Sequence, residues 1–206
     1  MLVIVDFGMG NLRSVLRRVE KLGYEVLLTA DPEDVKRASK IILPGVGAFA
    51  SGMQKLKDRG LIPALNRKVL DDGTPVLGIC LGMQMMCKWG EEGDTQGLGW
   101  IDADCVRFRF EDNQNGYLRV PHMGWNTIDK QKPDVLLANV PEDSRFYFVH
   151  SYYVQPNDSA AVLATTDYGV AFTSMVRQGN ISGTQFHPEK SHQAGANLLD
   201  AFLSQA

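Results

Sequence analysis

Residues 75–86 combine an apolar run, a cysteine flanked by glycines and a helical pattern in one short stretch. The letters PVL at 75–77 are followed by GICLG at 78–82 and by MQMM at 83–86. This order predicts a strand, a tight turn and a helix, and the glycines leave room for neighbouring strands at the turn. It is the pattern of a nucleophile elbow, with a thiol in the place of the more usual hydroxyl. We therefore expect Cys80 above a sheet edge, at a helix N-terminus whose dipole favours the thiolate.

Short apolar runs alternate with helical patterns through the first half of the chain. The predicted strands are Leu2–Val5, Glu25–Leu28, Lys40–Leu43 and Val76–Ile79, and the predicted helices are Leu12–Leu22, Ala50–Leu56 and Ile62–Leu70. Alternation of this kind indicates a parallel sheet with helices on both faces.

The second half of the chain changes character. Its strand-like segments are Cys105–Phe110, Phe146–Val149, Ala161–Thr165, Val170–Val176 and Ile181–Thr184, and Gln193–Leu203 is a final helix. Turn residues between these segments favour antiparallel strands joined to the sheet, and Glu111–Asn115 is predicted to be an exposed loop. No repeat or linker divides the 206 residues, so we expect residues 1–206 to form one domain. The predicted class is α/β, with a mostly parallel central sheet flanked by helices and added antiparallel strands.

Composition excludes several classes of protein. The net charge of −3 provides no basic surface for nucleic acid, and no stretch is long and apolar enough to span a membrane. The first residues lack the basic region of a signal peptide and are better explained as a strand. Three cysteines without C-x-x-C spacing argue against a disulfide framework or a zinc site. We expect a cytoplasmic protein that binds no metal, nucleic acid or membrane.

A thiol nucleophile needs a base, and the base needs an orienting group. Of the four histidines, His187 is the best candidate, because GTQFHPE at 183–189 ends a predicted strand and Pro188 stops that strand from continuing. Glu189 is close enough in sequence to hold the imidazole. Cys80, His187 and Glu189 therefore form a candidate triad.

The other cysteines and histidines have simpler explanations. Cys87 and Cys105 lack the glycine setting and are expected to be buried and inert. His122 and His150 are expected to be structural or to position the backbone. His192 is expected to be solvated near the start of the last helix.

Two further glycine loops follow predicted strands. PGVGAF at 44–49 can bring backbone amides close to an anion, as a second wall of a pocket at the carboxyl ends of adjacent strands. The loop that contains Gly8 and Gly10 begins like a dinucleotide fingerprint. Arg13 stands in the place of the third glycine, so nicotinamide binding is not expected.

Five segments together resemble a known family: PGVGAF at 44–49, GICLGMQ at 78–84, VPHMGWN at 120–126, YFVHSYY at 147–153 and GTQFHPEKS at 183–191. They resemble the class I (triad) glutamine amidotransferases and, within that class, the glutaminase subunits of imidazole glycerol phosphate synthase. GICLGMQ and FHPE are shared by the class at large, whereas PGVGAF, PHMGWN and HPEKS narrow the resemblance to these subunits. The resemblance extends from the first strand to the last helix. It implies a flavodoxin-like fold and no cofactor.

The resemblance implies a role for each site residue. Cys80 would attack the side-chain amide of glutamine, His187 would protonate the leaving ammonia and then activate water, and Glu189 would hold the imidazole. The oxyanion hole would combine the N–H of Leu81 with an amide of the loop at Gly45, Val46 and Gly47, which is thought to rearrange first. The implied substrate-binding residues are Gln84, Gly47, His150, Ser151 and Tyr152.

The resemblance also implies a heterodimer with a HisF-type (β/α)₈ cyclase subunit that uses the ammonia in histidine biosynthesis. The positions implied at the contact are Asn11, Trp125, Asn126, Tyr147 and Lys190. Residue type alone would instead make Trp125 a core aromatic and Lys190 a solvated charge. Met9 departs from the proline that many relatives carry there, which bears on the details of the contact and not on catalysis.

Three alternatives are considered on the sequence. A paralogous glutaminase could supply ammonia for amidino-sugar formation in surface polysaccharide synthesis. A scaffold that retains the fold without catalysis is the second, although the intact triad speaks against it. The third is a related cysteine hydrolase or a glutaminase for the pyridoxal phosphate pathway, and the PGVGAF and PHMGWN segments count against both.

Overall fold

The computed structural model describes residues 1–110 and 118–205. Within these residues the strands form a twelve-stranded mixed sheet and a second sheet of two strands. The strands are β1 (Leu2–Val5), β2 (Val26–Thr29), β3 (Lys40–Gly45), β4 (Val76–Cys80), β5 (Trp89–Gly90), β6 (Thr95–Gln96), β7 (Ala103–Arg107), β8 (His122–Thr127), β9 (Asp129–Lys130), β10 (Arg145–His150), β11 (Tyr152–Pro156), β12 (Val162–Asp167), β13 (Ala171–Gln178) and β14 (Ile181–Thr184). The α-helices are α1 (Leu12–Lys21), α2 (Pro32–Lys36), α3 (Phe49–Asp58), α4 (Leu61–Asn66), α5 (Leu81–Met85) and α6 (His192–Leu203). No helix among these described residues is long and apolar enough to cross a membrane.

Five parallel strands in the order β2-β1-β3-β4-β14 form one half of the large sheet. From β14 the sheet continues through the antiparallel neighbours β13, β11 and β7, and β12 pairs with β13 and β9. At the far edge, β5 runs parallel to β7 and antiparallel to β6. This topology confirms the predicted α/β class, in which a parallel central sheet carries added antiparallel strands.

The parallel strands β1, β3 and β4 are buried on both faces, which explains why their sequences are mostly apolar runs. In β1, Val3 and Val5 pack in the core that α2, α3, α4 and α5 cover. Ile4, between them, packs in the core that α1 and α6 cover. With both faces closed by helices, a ligand can approach the sheet at the loops that leave the carboxyl ends of the strands.

The two-stranded sheet pairs β8 with β10 and is joined to the segment after β14. The register places Tyr147 opposite Trp125 and His150 opposite His122. The backbone N–H of His187 donates to the carbonyl of Tyr147 at 2.9 Å. This backbone bond connects the small sheet to the segment that carries the candidate base.

The predicted elements of the first half are confirmed to within one or two residues at each end. The predicted helix Ile62–Leu70 is α4 followed by a π-helical turn at Arg67–Asp71. The prediction of a strand over Cys105–Phe110 was wrong beyond Arg107. There the chain leaves the sheet because Phe108 is buried among other aromatic rings, with centroids 4.8 Å from Tyr153 and 5.2 Å from Phe172.

The short strands β5, β6 and β9 were not predicted, and neither were β8, β11 and α2. In β8 the large apolar residues Met123 and Trp125 are on the exposed face, the reverse of the usual pattern. β11 follows β10 after one residue, so the pattern of one obscured the other. α2 carries a local signal, since the side chain of Asp31 caps it by accepting a hydrogen bond from the Glu33 N–H at 2.9 Å. The predicted loop Glu111–Asn115 lies outside the described residues.

Candidate active site

Cys80 occupies a strained turn between β4 and α5. Its backbone has φ of 53° and ψ of −109°, in the positive-φ region that residues with a Cβ rarely adopt. The flanking glycines are required by close approach of the backbone. A Cβ at Gly82 would collide with the backbone oxygen of Leu43, and a Cβ at Gly78 would lie 2.7 Å from the backbone nitrogen of Met83. The GICLG sequence therefore folds as the predicted elbow, with the cysteine at its tip.

Strand pairing brings distant parts of the sequence to one edge. β4 lies between β3 and β14, and all three strands are parallel. Gly45 of β3 pairs with Cys80, and Thr184 of β14 pairs with Ile79. The segment that leaves β14 leads directly to His187. The glycine loop, the cysteine and the histidine therefore emerge together at the carboxyl ends of adjacent strands.

His187 and Glu189 form a buried pair close to the cysteine. Nδ1 of His187 lies 2.9 Å from Oε1 of Glu189, and both side chains are 2% exposed. Burial by itself lowers the pKa of His187, but interactions with the Cys80 thiol and with Glu189 outweigh burial and raise this pKa to about 9. Nε2 of His187 makes no aligned hydrogen bond to any described group. The imidazole and the thiol are therefore adjacent without an aligned hydrogen bond, in a geometry that a bound substrate can tighten.

A pocket of about 430 Å³ opens beside Cys80. Most of the predicted site residues line it: Val46, Gly47, Cys80, Gln84, His150, Ser151 and Tyr152. His187, Glu189, Leu81 and Gly45 are buried and are not among its described lining residues. A larger cleft of about 790 Å³ is lined by residues between 130 and 142, which include no cysteine or histidine. The smaller pocket is therefore the one that joins a nucleophile to a volume suited to a small ligand.

The backbone predicted to form an oxyanion hole flanks the cysteine. Leu81 follows Cys80 at the start of α5, and the loop after β3 begins at Gly45, beside Cys80 in the sheet. Gly47 has φ of 106°, a conformation that glycine adopts at little cost. Val46 and Gly47 both line the pocket. The loop therefore runs along the pocket wall, and Gly47 allows the peptide group there to rotate.

His122 and His150 form a buried pair with defined tautomers. Nδ1 of His150 lies 2.8 Å from the carbonyl oxygen of Tyr152, which can only accept, so this nitrogen carries the hydrogen. Nε2 of His150 then accepts from Nδ1 of His122, 3.1 Å away. Burial lowers the pKa of His150 to about 3 and that of His122 to about 4, so both rings are neutral. The prediction that they position backbone is confirmed at Tyr152, on the pocket wall.

Comparison with known proteins identifies the family. The model of the family "Glutamine amidotransferase class-I" matches residues 3–206. The chain belongs to this family. A relative from Methanococcus maripaludis, named imidazole glycerol phosphate synthase subunit HisH 2, is 48% identical over 206 residues, covering 100% of both chains. A protein of the same name from Pseudomonas aeruginosa is 46% identical over 203 residues, covering 98% of both.

A solved structure supports the fold of this class I amidotransferase. The crystal structure of a glutamine amidotransferase matches it with a TM-score of 0.74 at 20% identity, over 98% of this chain and 96% of the other. At this identity the likeness concerns the fold alone.

Two polar residues of the amidotransferase site were missed in the sequence. Glu92 lines the pocket, and its Oε2 accepts a hydrogen bond from the Phe49 N–H at 2.8 Å. Gln185 is completely buried, and its Nε2 lies 3.7 Å from Sγ of Cys80. Gln185 stands two residues before His187 in the GTQFHPE segment, which was a usable signal. Glu92 had no such sequence signal, because the turn between β5 and β6 meets the start of α3 only in the folded chain.

Three of the five predicted contact residues gather on one surface of the amidotransferase. The ring of Trp125, 38% exposed, lies 5.8 Å from that of Tyr147, and Nζ of Lys190 lies 5.4 Å from the Tyr147 ring. The prediction from residue type alone, that Trp125 is a core aromatic, was therefore wrong. The side chain of Asn126 instead donates to the Asp167 carbonyl at 2.8 Å, and Asn11 is exposed on a different element, at the start of α1.

The remaining cysteines and His192 have no contact with the triad in the described hydrogen bonds. Cys87 and Cys105 are buried, and burial raises the pKa of each thiol. His192 begins α6 and is exposed, but its ring stacks on Trp125 at 4.8 Å instead of being merely solvated. No group of three or more metal-ligating side chains occurs within residues 1–110 and 118–205.

The strain at the elbow predicts an inverted order of stability for two variants. Cys80→Ala retains a Cβ at positive φ, which costs ~1–2 kcal/mol, whereas Cys80→Gly relieves it. The entropic cost of glycine is only ~0.5–1 kcal/mol, so we expect Cys80→Gly to be the more stable. Chemical denaturation measures the difference. The same pair of changes at Cys87, where φ is not positive, should favour alanine. If alanine is also the more stable at Cys80, the elbow is not strained.

Proposed function

We propose that this chain is the glutaminase subunit of an imidazole glycerol phosphate synthase. It hydrolyses glutamine to glutamate and ammonia, and the ammonia passes to a HisF-type (β/α)₈ cyclase subunit in histidine biosynthesis. The observation that supports this most is the meeting of a thiol, an imidazole and a carboxylate beside one pocket. Residues 1–206 act as one glutaminase domain in this proposal.

Acylation begins with proton transfer from the thiol of Cys80 to Nε2 of His187. The thiolate attacks the side-chain carbonyl carbon of glutamine, and the carbonyl π electrons move onto its oxygen. That oxyanion is bound by the N–H of Leu81 and an amide of the Gly45–Gly47 loop. The pKa of His187, raised to about 9, keeps the proton on the imidazole at neutral pH until it moves to the departing nitrogen. Ammonia leaves as the carbonyl re-forms, and a thioester remains.

Deacylation reverses the role of the imidazole. His187, now neutral, removes a proton from water, and the hydroxide attacks the thioester carbon. The second tetrahedral species collapses with breakage of the C–S bond, and the electron pair returns to sulfur. Glu189 remains hydrogen-bonded to Nδ1 throughout, which fixes the tautomer in which Nε2 exchanges the proton.

The polar groups of the pocket match a free amino acid. Nε2 of Gln84 is already engaged by the Tyr152 carbonyl at 2.9 Å and by Oε1 of Gln185 at 3.1 Å, which leaves Oε1 of Gln84 to accept from a substrate N–H. Among the described lining residues, Glu92 is the only carboxylate, and we assign it to the α-ammonium group. Backbone of Gly47 and around Ser151 is suited to the α-carboxylate.

The exposed surface supports a partner that influences the site. Trp125, Tyr147 and Lys190 are adjacent there, and the Tyr147 carbonyl accepts the backbone N–H of His187. Ser191 adds a second link, because its Oγ accepts from the Tyr147 N–H at 3.0 Å and donates to the His187 carbonyl at 2.6 Å. A cyclase seated on this surface contacts β10, the strand that is hydrogen-bonded to the segment carrying the base. Direct transfer also keeps ammonia from being protonated in water.

Two further points favour this assignment. The relatives named above are imidazole glycerol phosphate synthase subunits, which supports histidine biosynthesis over the surface-sugar alternative. A nucleophilic thiol must stay reduced, which a cytoplasmic location provides.

Reconstitution with a HisF-type subunit and its ribotide substrate tests the function. We expect the isolated chain to release glutamate slowly, and the loaded complex to do so at least tenfold faster and to form imidazole glycerol phosphate from glutamine. Cys80→Ala should abolish turnover, and Glu189→Ala should lower it less, because orientation is lost but the nucleophile remains. Cys87→Ala, at a buried thiol outside the site, is the control and should be active. Equal rates with and without the partner, or turnover by Cys80→Ala, would contradict the proposal.

The role of Glu92 predicts a change in KM. Glu92→Gln retains an acceptor for the Phe49 N–H but removes the negative charge, so KM for glutamine should rise about tenfold, the equivalent of ~1.4 kcal/mol, with a smaller change in kcat. Steady-state kinetics of the complex measure both constants. The neighbouring Glu91→Gln, at a carboxylate paired with Arg109 outside the pocket lining, is the matched control. An unchanged KM in Glu92→Gln would rule out the assignment.

A further inference from the structure

Gln185 lies between the nucleophile and a pocket residue, and the triad does not account for it. Its side chain is completely buried, directly after β14. Its backbone N–H donates to the Ser174 carbonyl at 2.9 Å, which continues the pairing of β13 with β14 by one residue. A buried amide must satisfy both its donor and its acceptor, so its partners are informative.

The hydrogen-bond partners fix which end of the amide faces the sulfur. The Tyr152 carbonyl can only accept, so the group of Gln84 that lies 2.9 Å from it is the amide nitrogen. That nitrogen also lies 3.1 Å from Gln185, which must present its Oε1 there. Nε2 of Gln185 is therefore the end that lies 3.7 Å from Sγ of Cys80. These hydrogen bonds form a series from the Tyr152 carbonyl through the amides of Gln84 and Gln185 to the sulfur, with an N–H of Gln185 directed at Sγ.

We propose that Gln185 donates a hydrogen bond to the sulfur of Cys80 and stabilises its thiolate. This inference rests on the proposed function, in which Cys80 is the nucleophile. An N–H donor is bound more strongly by an ionised acceptor than by a neutral one, so the bond favours the thiolate over both the thiol and the thioester.

The same bond assists two steps of the reaction. Before acylation, the proton of the thiol goes to Nε2 of His187, and the negative charge that stays on sulfur accepts from Gln185. In deacylation, the C–S bond breaks, its electron pair returns to sulfur, and the N–H of Gln185 stabilises the leaving thiolate. Gln84 positions Gln185 by donating to its Oε1.

Other titratable groups also surround the sulfur, so the test must leave them unchanged. They are the imidazoles of His187 and His150, the carboxylates of Glu189 and Glu92, and the buried thiol of Cys105. Gln185→Met removes the donor, adds no charge and keeps similar length.

Alkylation by iodoacetamide tests the donor directly, because this reagent reacts with the thiolate and needs no glutamine site. In Gln185→Met we expect Cys80 to react about tenfold more slowly at pH 7 and the midpoint of its pH profile to move up by about one pH unit. Peptide mapping separates Cys80 from the other two cysteines. In the complex with the cyclase, kcat for glutamine should fall by about tenfold, while KM changes little.

Three variants separate this role from a merely structural one. Gln84→Met removes the donor that positions Gln185, so it should raise KM and also move the alkylation midpoint up, by less than Gln185→Met does. Gln155→Met makes the same chemical change at an exposed position, and Ser174→Ala removes a buried hydroxyl that has no hydrogen-bond partner among the described residues. Both should match the parent chain. A folded Gln185→Met with an unchanged alkylation profile would overturn the proposal.

A measurement on the unmodified chain covers the case in which Gln185→Met does not fold. The side-chain amide resonances of Gln185 should shift with the same pH midpoint as alkylation of Cys80, and this shift should disappear in Cys80→Ser. Resonances that ignore the ionisation of Cys80 would refute the hydrogen bond. If the alkylation results agree but the parent complex does not hydrolyse glutamine, the proposed function fails and the hydrogen bond stands.

Discussion

The parallel pairing of β4 with β3 and β14 is the constraint on which the site depends. This register sets Gly45 beside Cys80 and brings the segment after Thr184 to the same edge. Side chains alternate between the faces of a sheet, so a slip of one residue would turn each of them to the other side. The glycines of the elbow are part of this constraint, because Gly82 leaves room for the backbone oxygen of Leu43. Sheet register and the position of Cys80 are therefore fixed together.

Burial lowers the pKa of three histidines, and the groups beside each ring decide the final pKa. His122 and His150 contact each other and a backbone carbonyl, so burial keeps their pKa values low and both rings neutral. His187 has Glu189 and the Cys80 thiol beside it, and these interactions raise its pKa in spite of burial. One fold thus holds a neutral pair that shapes the pocket wall and a charged imidazole that can give up a proton.

Most of the fold could be predicted from local patterns in the sequence. Apolar runs bounded by glycine predict the parallel strands, and the GICLG elbow with the FHPE segment predicts the candidate triad, because each depends on residues close in sequence. Glu92 and Gln185 were missed because their importance comes from contacts across strands and loops. β8 was missed because its large apolar side chains, Met123 and Trp125, lie on the exposed face and His122 on the buried one. Exposed apolar side chains of this kind are typical of a surface that binds a partner, whereas residue type alone would place them in the core.

In the proposed reaction, the sulfur of Cys80 forms a covalent bond to the substrate carbon. Labelling of the complex with a diazoketone analogue of glutamine, followed by peptide mapping, detects this bond. We expect a single adduct, on Cys80, that forms in step with loss of glutaminase activity and is slowed by glutamine. Loss of activity with Cys80 unmodified, or an adduct on Cys87 or Cys105 in its place, would contradict it.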